Sequence, residues 1–233
     1  MTGVEGDSGL QSDVLEDLRT AVNYRRWLCS LGVPYFGDDV LEIGSGLGYY
    51  AADWADMGVR ITASEADPER LRHLREVFAD SPVRVRELAV PIQEEADHST
   101  VVAYNVLEHI PDDVAALRAF RGLVRPGGAV VLIVPAFGGA MSAFDRAIGH
   151  QRRYTRRMLS SALGQAGLHV ERCHYVNAPG LLAWYVGMRL LGGRPKEGPL
   201  LSIWDKVVVP VESRLERYVR VPFGQSVFAV ARR

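Results

Sequence analysis

The sequence predicts an α/β fold: a seven-stranded, mostly parallel sheet with helices on both faces and a helical insertion between the last two strands. Three observations lead there. The apolar run Val40-Leu41-Glu42-Ile43 is followed at once by Gly44-Ser45-Gly46-Leu47-Gly48 and then by Ala51-Ala52-Asp53-Trp54-Ala55, which reads as strand, tight turn and helix. A second strand ends in an acidic residue, Glu65, 21 positions beyond Gly44. Apolar runs and helical stripes then alternate along the chain, the pattern of strands joined by crossover helices.

In chain order, residues 1–13 are polar and acidic and are expected to form a disordered tail before a single domain over 14–233. Val14, Leu15, Leu18, Ala21, Val22, Leu28 and Leu31 make a helical stripe over 14–31, opened by Ser12 or Asp13. Arg60 to Ser64 is strand two. Asp67 and Pro68 start a helix running to Phe78, a capping side chain followed by a residue pre-set for the first turn. Val83 to Leu88 alternates like strand three, and Thr100 to Tyr104 is a buried strand four. Pro111 to Val114 caps a helix ending at Leu123. Arg125-Pro126-Gly127-Gly128 turns into strand five, Ala129 to Pro135. Phe137 to Ile148 is an insertion, Thr155 to Ala166 a helix, His169 to Tyr175 strand six and Ser226 to Ala231 strand seven. Two amphipathic helices, Gly180 to Leu191 and Leu200 to Tyr218, fill a cap insertion from about 176 to 224.

The glycine turn has a ligand logic. A sharp reversal and close approach of a ligand to backbone both exclude a Cβ. The spacing is GxGxG with Tyr49 following, whereas a dinucleotide fingerprint needs GxGxxG to accommodate a pyrophosphate. A nucleoside ligand without a pyrophosphate fits better, with Glu65 placed to bind a ribose diol.

Leu41-Glu42-Ile43-Gly44-Ser45-Gly46-Leu47-Gly48, Ala63-Ser64-Glu65-Ala66-Asp67-Pro68, Asn105-Val106-Leu107-Glu108-His109-Ile110 and Leu123-Val124-Arg125-Pro126-Gly127-Gly128 together resemble the ordered motif series of class I S-adenosylmethionine-dependent methyltransferases. Within that superfamily the chain is similar to bacterial small-molecule enzymes that carry the Asn-Val-Leu-Glu-His segment and a later Gly-His-x-Arg-Arg-Tyr, here Gly149 to Tyr154. The resemblance implies a Rossmann-like fold, S-adenosylmethionine as cofactor and S-adenosylhomocysteine as product. It implies that Glu42 supports the methionine amino group, that Gly44, Ser45, Gly46 and Gly48 shape the turn, and that Glu65 and Ala66 flank the ribose. Glu87 and the Leu88 backbone are the candidates for the adenine, and Asn105 and Val106 sit where strand four meets the cofactor. The leading helix of such enzymes lines the acceptor pocket, so Tyr24 and Trp27 are substrate-side candidates, with packing as the alternative.

The catalytic candidates follow from the reaction class. A sulfonium methyl is already activated, so the protein must align a nucleophile, exclude water and accept a proton. His150 in the loop after strand five and His109 just after strand four are the candidate bases; Glu108 and Tyr154 accompany them, with Arg153 beside the substrate. His150 is preferred, against the alternative that Arg153 and Tyr154 merely dock the loop. No metal set is visible in the sequence.

Composition bounds the rest. With 27 basic against 28 acidic residues there is no general field for nucleic acid, and the amino-methyltransferase signature for bases is missing at Asn105-Val106-Leu107-Glu108. The two cysteines, Cys29 and Cys173, make neither a disulfide framework nor a zinc spacing, and residues 1–13 lack the pattern of a signal peptide, so a cytoplasmic location is expected. The acceptor is expected to be a small molecule, secondary-metabolite or glycolipid-related. The alternative is an S-adenosylmethionine-binding enzyme of the same fold with a non-methylating reaction such as cyclisation. A nicotinamide-dependent dehydrogenase ranks lower, since no tyrosine is followed four positions on by lysine. The stretch 180–218 could contact a membrane surface or a lipid-linked substrate, or pack as a cap or a homodimer contact.

Overall fold

The computed structural model describes residues 20–190 and 198–233. The expected tail at 1–13, the Ser12 or Asp13 cap and the first turn of the leading helix lie outside the described residues, as do Leu191 to Glu197. Helix α1 spans Val22–Gly32. The sequence read one continuous helix over 14–31; Ala21, at φ −86° and ψ 61°, leaves helical geometry, and the helix starts afresh at Val22.

Seven strands form one sheet in the order β3-β2-β1-β4-β5-β7-β6: β1 Val40–Ile43, β2 Ile61–Glu65, β3 Arg84–Glu87, β4 His98–Tyr104, β5 Val124–Pro135, β6 His169–Val176 and β7 Ser226–Arg232. Neighbours are parallel from β3 through β5, and β7 pairs antiparallel with both β5 and β6. The helices are α2 Tyr49–Asp56, α3 Pro68–Val77, α4 Asp113–Leu123, α5 Ala143–Ala147 and α6 Arg156–Gln165. This is the predicted seven-stranded Rossmann-like architecture. Strand β5 begins five residues earlier than the sequence indicated, across a register shift against β4 between His98 and Thr100.

Central strands are buried on both faces, as parallel sheets under helices must be. Val101 and Ala103 point into one core layer with Leu117, Phe120 and Leu163 of α4 and α6. Their neighbours Val102 and Tyr104 point into the other, with Leu28, Trp54 and Leu74 of α1, α2 and α3. The strand order reverses between β1 and β4, and at such a switch point the two following loops diverge and leave a crevice at the carboxyl edge. Gly44 at φ 68° and Gly48 at φ 83° carry the chain across it. A Cβ on Gly44 would stand 2.8 Å from Val106, and one on Gly48 would meet Phe78 and Leu74 at 2.8 and 2.9 Å. Gly48 is therefore needed as much for packing α3 against the turn as for any ligand.

The late insertion is helical, as expected: α7 Ala178–Trp184 continues through a π turn to Leu190, and α8 Pro199–Ile203 continues through a second π turn into α9 Val209–Leu215. Among the described residues no helix is long and apolar enough to cross a membrane.

Candidate active site

The glycine turn is held from beneath. Glu42 on β1 is 2% exposed, and its Oε2 accepts a 2.6 Å hydrogen bond from Ser45 Oγ. Ser45 Oγ in turn accepts from the Ser64 amide at 3.0 Å. The Ser45 hydroxyl is thus occupied inside the protein and braces the turn. Burial, reinforced by the Glu65 charge and opposed by the Ser45 hydrogen bond, pushes the Glu42 pKa up to about 8. Tyr50, on the first turn of α2, is buried with a phenol that has no hydrogen-bond partner, and Glu42 is among the charges acting on it. An orphaned buried hydroxyl next to the turn marks a polar edge that a ligand would satisfy. The sequence reading missed Tyr50; an aromatic one place after Tyr49 gave no motif signal.

Glu65 ends β2 inside the crevice. Its Oε2 accepts from the Gly46 amide at 2.9 Å, and its Oε1 accepts from the Ala66 and Asp67 amides at 2.8 and 3.0 Å. Glu87 lies opposite Glu65 in the β2–β3 register and is exposed. Leu88 is a correction: its amide donates to the Glu65 carbonyl at 3.1 Å and its side chain lies in the core, so only its carbonyl is left for an adenine. Asn105, exposed and at φ 54°, ends β4 beside the turn, with half-buried Val106 against Gly44.

Across the switch point the structure brings together residues far apart in sequence. Glu108 is fully buried and neither carboxylate oxygen has a hydrogen-bond partner. His150 Nε2 lies 3.7 Å from Glu108 Oε1, and the His109 and His150 rings meet edge to face at 4.6 Å. His109 Nδ1 is also without a partner. Glu108, His109 and His150 each offer one ligand atom, all within 4.8 Å of one another, a set that suits a divalent ion as well as proton transfer. The sequence, which showed no metal set, could not reveal it, because His150 reaches the pair only through the folded loop.

That loop is tightly anchored. His150 Nδ1 is 2.8 Å from Asp145 Oδ1, and Asp145 also accepts from Arg153 at 2.7 and 3.0 Å. The Asp145 Oδ2 accepts from the Ser142 amide and hydroxyl, completing a capping box that starts α5. The Gln151 amide donates to the Glu108 carbonyl at 2.8 Å, joining the loop to the strand-four side. Asp145 was missed in the sequence: Ser142-x-x-Asp145 marks a helix start there but says nothing of His150.

Three expectations are corrected by these contacts. Tyr154 is 1% exposed and its hydroxyl donates to Asp113 at 2.9 Å, while burial and the Asp113 charge push its pKa far up; it clamps the loop to α4 and does not act on substrate. Arg153 is buried, bonded to Asp145 and to the Ala136 carbonyl, and stacked 4.7 Å over Trp184; its charge is consumed inside the fold. Trp27 is 7% exposed in the core layer above β4, which settles it as packing. Tyr24 is half-buried against Trp27, with its hydroxyl hydrogen-bonded to Asn177 at the start of the late insertion and to Ser226 at the start of β7.

The electrostatics follow from burial. Burial lifts the Glu108 pKa to about 7, partly opposed by the His150 and Arg153 charges. Burial, with the His150 charge, drives His109 down to about 3, so its ring is neutral at working pH. Burial would raise Asp145, but His150, Arg153 and Ser142 outweigh it and hold the carboxylate well below its usual range. Glu42 near 8, Glu108 near 7 and Glu212, pushed up by burial and the neighbouring Glu216 charge, thus bind protons more tightly folded than unfolded. Their stabilisation is complete below about pH 4.5 and is lost as pH rises through 7 to 8. The thermal midpoint of the unliganded protein is expected to fall by roughly 5 °C or more between pH 6.5 and 8.5. A scanning-calorimetry series with a flat or rising midpoint over that interval would contradict the buried-carboxyl assignment.

Sheet order, switch-point crevice and glycine turn define a Rossmann-like α/β domain. The sequence pattern of the methyltransferase domain family matches residues 41–130. An uncharacterized methyltransferase of Mycobacterium leprae is 34% identical over 143 residues, covering 56% of this chain and 51% of the relative, so the chain spans about half the length of that curated relative. Two solved structures share the fold: geranyl diphosphate C-methyltransferase from Streptomyces coelicolor A3(2), solved with Mg2+, geranyl diphosphate and S-adenosyl-L-homocysteine (TM-score 0.59, 15% identity, covering 88% of this chain and 78% of that one), and the [4+2]-cyclase SpnF (TM-score 0.57, 16% identity, 89% and 80%). Residues 41–130 thus carry the methyltransferase-domain pattern, and the chain is similar in fold to class I S-adenosylmethionine-dependent methyltransferases.

Proposed function

We propose that the protein transfers the methyl group of S-adenosylmethionine to a nucleophilic atom of a small-molecule acceptor in secondary-metabolite or glycolipid chemistry. The observation that carries this reading is the juxtaposition, at one switch point, of the Gly44–Gly48 turn backed by Glu42 and Glu65 with the cluster of buried Glu108 and half-buried His109 and His150. The cofactor fits the residues present: the turn has no Cβ at Gly44, Gly46 or Gly48, Glu65 is a ribose acceptor, and the orphaned Tyr50 hydroxyl lacks a polar partner. When bound, the cofactor supplies an electrophilic methyl and a leaving thioether. The chain's own part is positioning and proton removal. His150, with Nδ1 fixed by the Asp145 carboxylate, turns Nε2 toward Glu108 and accepts the acceptor's proton there. Glu108, pKa near 7, shares that proton and stabilises the resulting imidazolium.

A second reading, a non-methylating reaction such as cyclisation on the same scaffold, is favoured by the fold shared with the [4+2]-cyclase. Calorimetric titration with S-adenosylhomocysteine tests both at once, with NADH as control. Micromolar affinity for the first and no heat from the second is expected; binding of NADH alone would end the methyl-transfer case. Mass analysis of products from labelled S-adenosylmethionine then separates transfer from cyclisation.

A further inference from the structure

The second half of the late insertion is built inside out. From Pro199 to Leu215 the chain is one helical run, with helical backbone at both junctions of its π turn, Trp204 and Val209. On one face Asp205, Val209 and Glu212 are 3%, 1% and 5% exposed. On the opposite face Leu200, Ile203, Val207, Val211 and Leu215, followed by Tyr218, are between 55% and 88% exposed. The spacings of 3, 4, 4, 4 and 3 residues keep these side chains in a single stripe. An ordinary surface helix would have the two faces exchanged.

The helix cannot roll to hide the stripe. Asp205 accepts from the Asn23 and Tyr24 amides at 3.2 and 2.8 Å and from the Asn23 side chain at 3.0 Å, which pins the helix to α1. One turn beyond Glu212, Glu216 accepts from the Asn177 amide at 3.1 Å and the Ala178 amide at 3.4 Å, which pins it to the start of α7. The acidic side chains are therefore committed inward. From 199 to 220 two carboxylates are buried and the third is half-buried, while Lys206, Arg214, Arg217 and Arg220 are all exposed.

We infer that this stripe is a membrane-surface face that docks the protein on an anionic lipid bilayer, lying in the interface with its apolar side chains among the acyl chains and its lysine and arginines at the headgroups. Exposed apolar residues flanked by cations with no exposed acid between them match the two attractions that hold interfacial helices: burial of apolar area and charge attraction to acidic lipids. A second copy of the chain fits less well. A two-fold contact through the stripe would set Lys206, Arg214 and Arg217 of each copy against the same cations of the other. The inference stands apart from the methyl-transfer reading, since it uses none of the residues at the glycine turn or the His150 cluster.

Flotation of the full chain with vesicles tests it. The protein is expected to rise with phosphatidylglycerol-containing vesicles and to partition at least about tenfold less onto pure phosphatidylcholine. The variant Ile203→Glu/Val207→Glu/Val211→Glu should lose about tenfold or more of that partitioning, and Lys206→Glu/Arg214→Glu/Arg217→Glu a similar amount. All six side chains are largely solvent-exposed, so far-UV circular dichroism and S-adenosylhomocysteine affinity should match the parent and report that each variant is folded. Wild-type protein left at the bottom of the gradient overturns the proposal, as does a stripe variant that floats like the parent. A solution dimer that the stripe variant splits, seen by light scattering, would assign the face to a second copy and overturn it equally.

Discussion

Replacing His150 by Ala is expected to lower kcat by about 10²- to 10⁴-fold while leaving S-adenosylhomocysteine affinity within about twofold. The split follows from position. His150 lies on the β5 side of the switch point, bonded to Asp145 at 2.8 Å and 3.7 Å from Glu108, whereas the turn proposed to hold the cofactor is braced by Glu42, Ser45 and Glu65. A base works only if the nitrogen facing the acceptor is unprotonated before reaction, and the Asp145 carboxylate fixes this by accepting the Nδ1 proton. Asp145→Asn should therefore lower kcat too, and should shift the acid limb of its pH profile, a change that simple loosening of the loop would not produce. Because Asp145 also anchors Arg153 and α5, that variant is read alongside its thermal midpoint. Chelation supplies the opposing outcome. With His150 as base, turnover survives EDTA; activity lost to EDTA and restored by a divalent ion would reassign Glu108, His109 and His150 as ligands. Unchanged turnover in His150→Ala would remove it from the mechanism altogether.

How much of this was legible beforehand differs between the two halves of the site. The cofactor half is local: turn, strand and acidic residue lie within 25 positions, and the physics that places them is a tight reversal after a strand, which glycines announce. The placement of Gly44, Gly46, Gly48 and Glu65 at the switch-point crevice was therefore readable. The acceptor half is not local. Asp145 is identifiable only as a capping residue until the loop closes and brings His150 to Glu108. Arg153 and Tyr154 stood beside a candidate base in sequence and were assigned to chemistry with it, yet both are buried supports, because their partners Asp145 and Asp113 come from other parts of the chain and are brought to them only by folding. Trp27 failed for a related reason: an aromatic stripe does not say whether its helix faces a pocket or a sheet. The insertion's helices were read correctly from periodicity, but which face turned outward was not, since a helix with two patterned faces fixes its orientation through partners such as Asn23 and Asn177 elsewhere in the chain.

Removing the Glu65 carboxylate is expected to weaken S-adenosylhomocysteine binding by about 10²- to 10³-fold, on the order of two charge-assisted hydrogen bonds. The effect has two sources that substitution can separate. In the free protein the carboxylate already accepts from the amides of Gly46, Ala66 and Asp67, so it organises the turn as well as facing the crevice. A carboxylate has about four acceptor positions, and three are filled; a ribose diol must take the fourth and share or displace one amide, the Gly46 bond being the one that reaches across the turn. Glu65→Ala leaves three amides without their acceptor, costing about 1–3 kcal/mol in folding stability along with the affinity. Glu65→Gln keeps one acceptor oxygen for the Ala66 and Asp67 amides but replaces the other with a donor facing the Gly46 amide or the sugar, and loses the charge. If Glu65 holds the ribose, both variants bind poorly while only Ala melts markedly earlier. If it serves the turn alone, Gln should bind almost as well as the parent, and an S-adenosylhomocysteine Kd within about twofold for Glu65→Gln would leave the carboxylate as a structural brace and move ribose recognition elsewhere in the crevice.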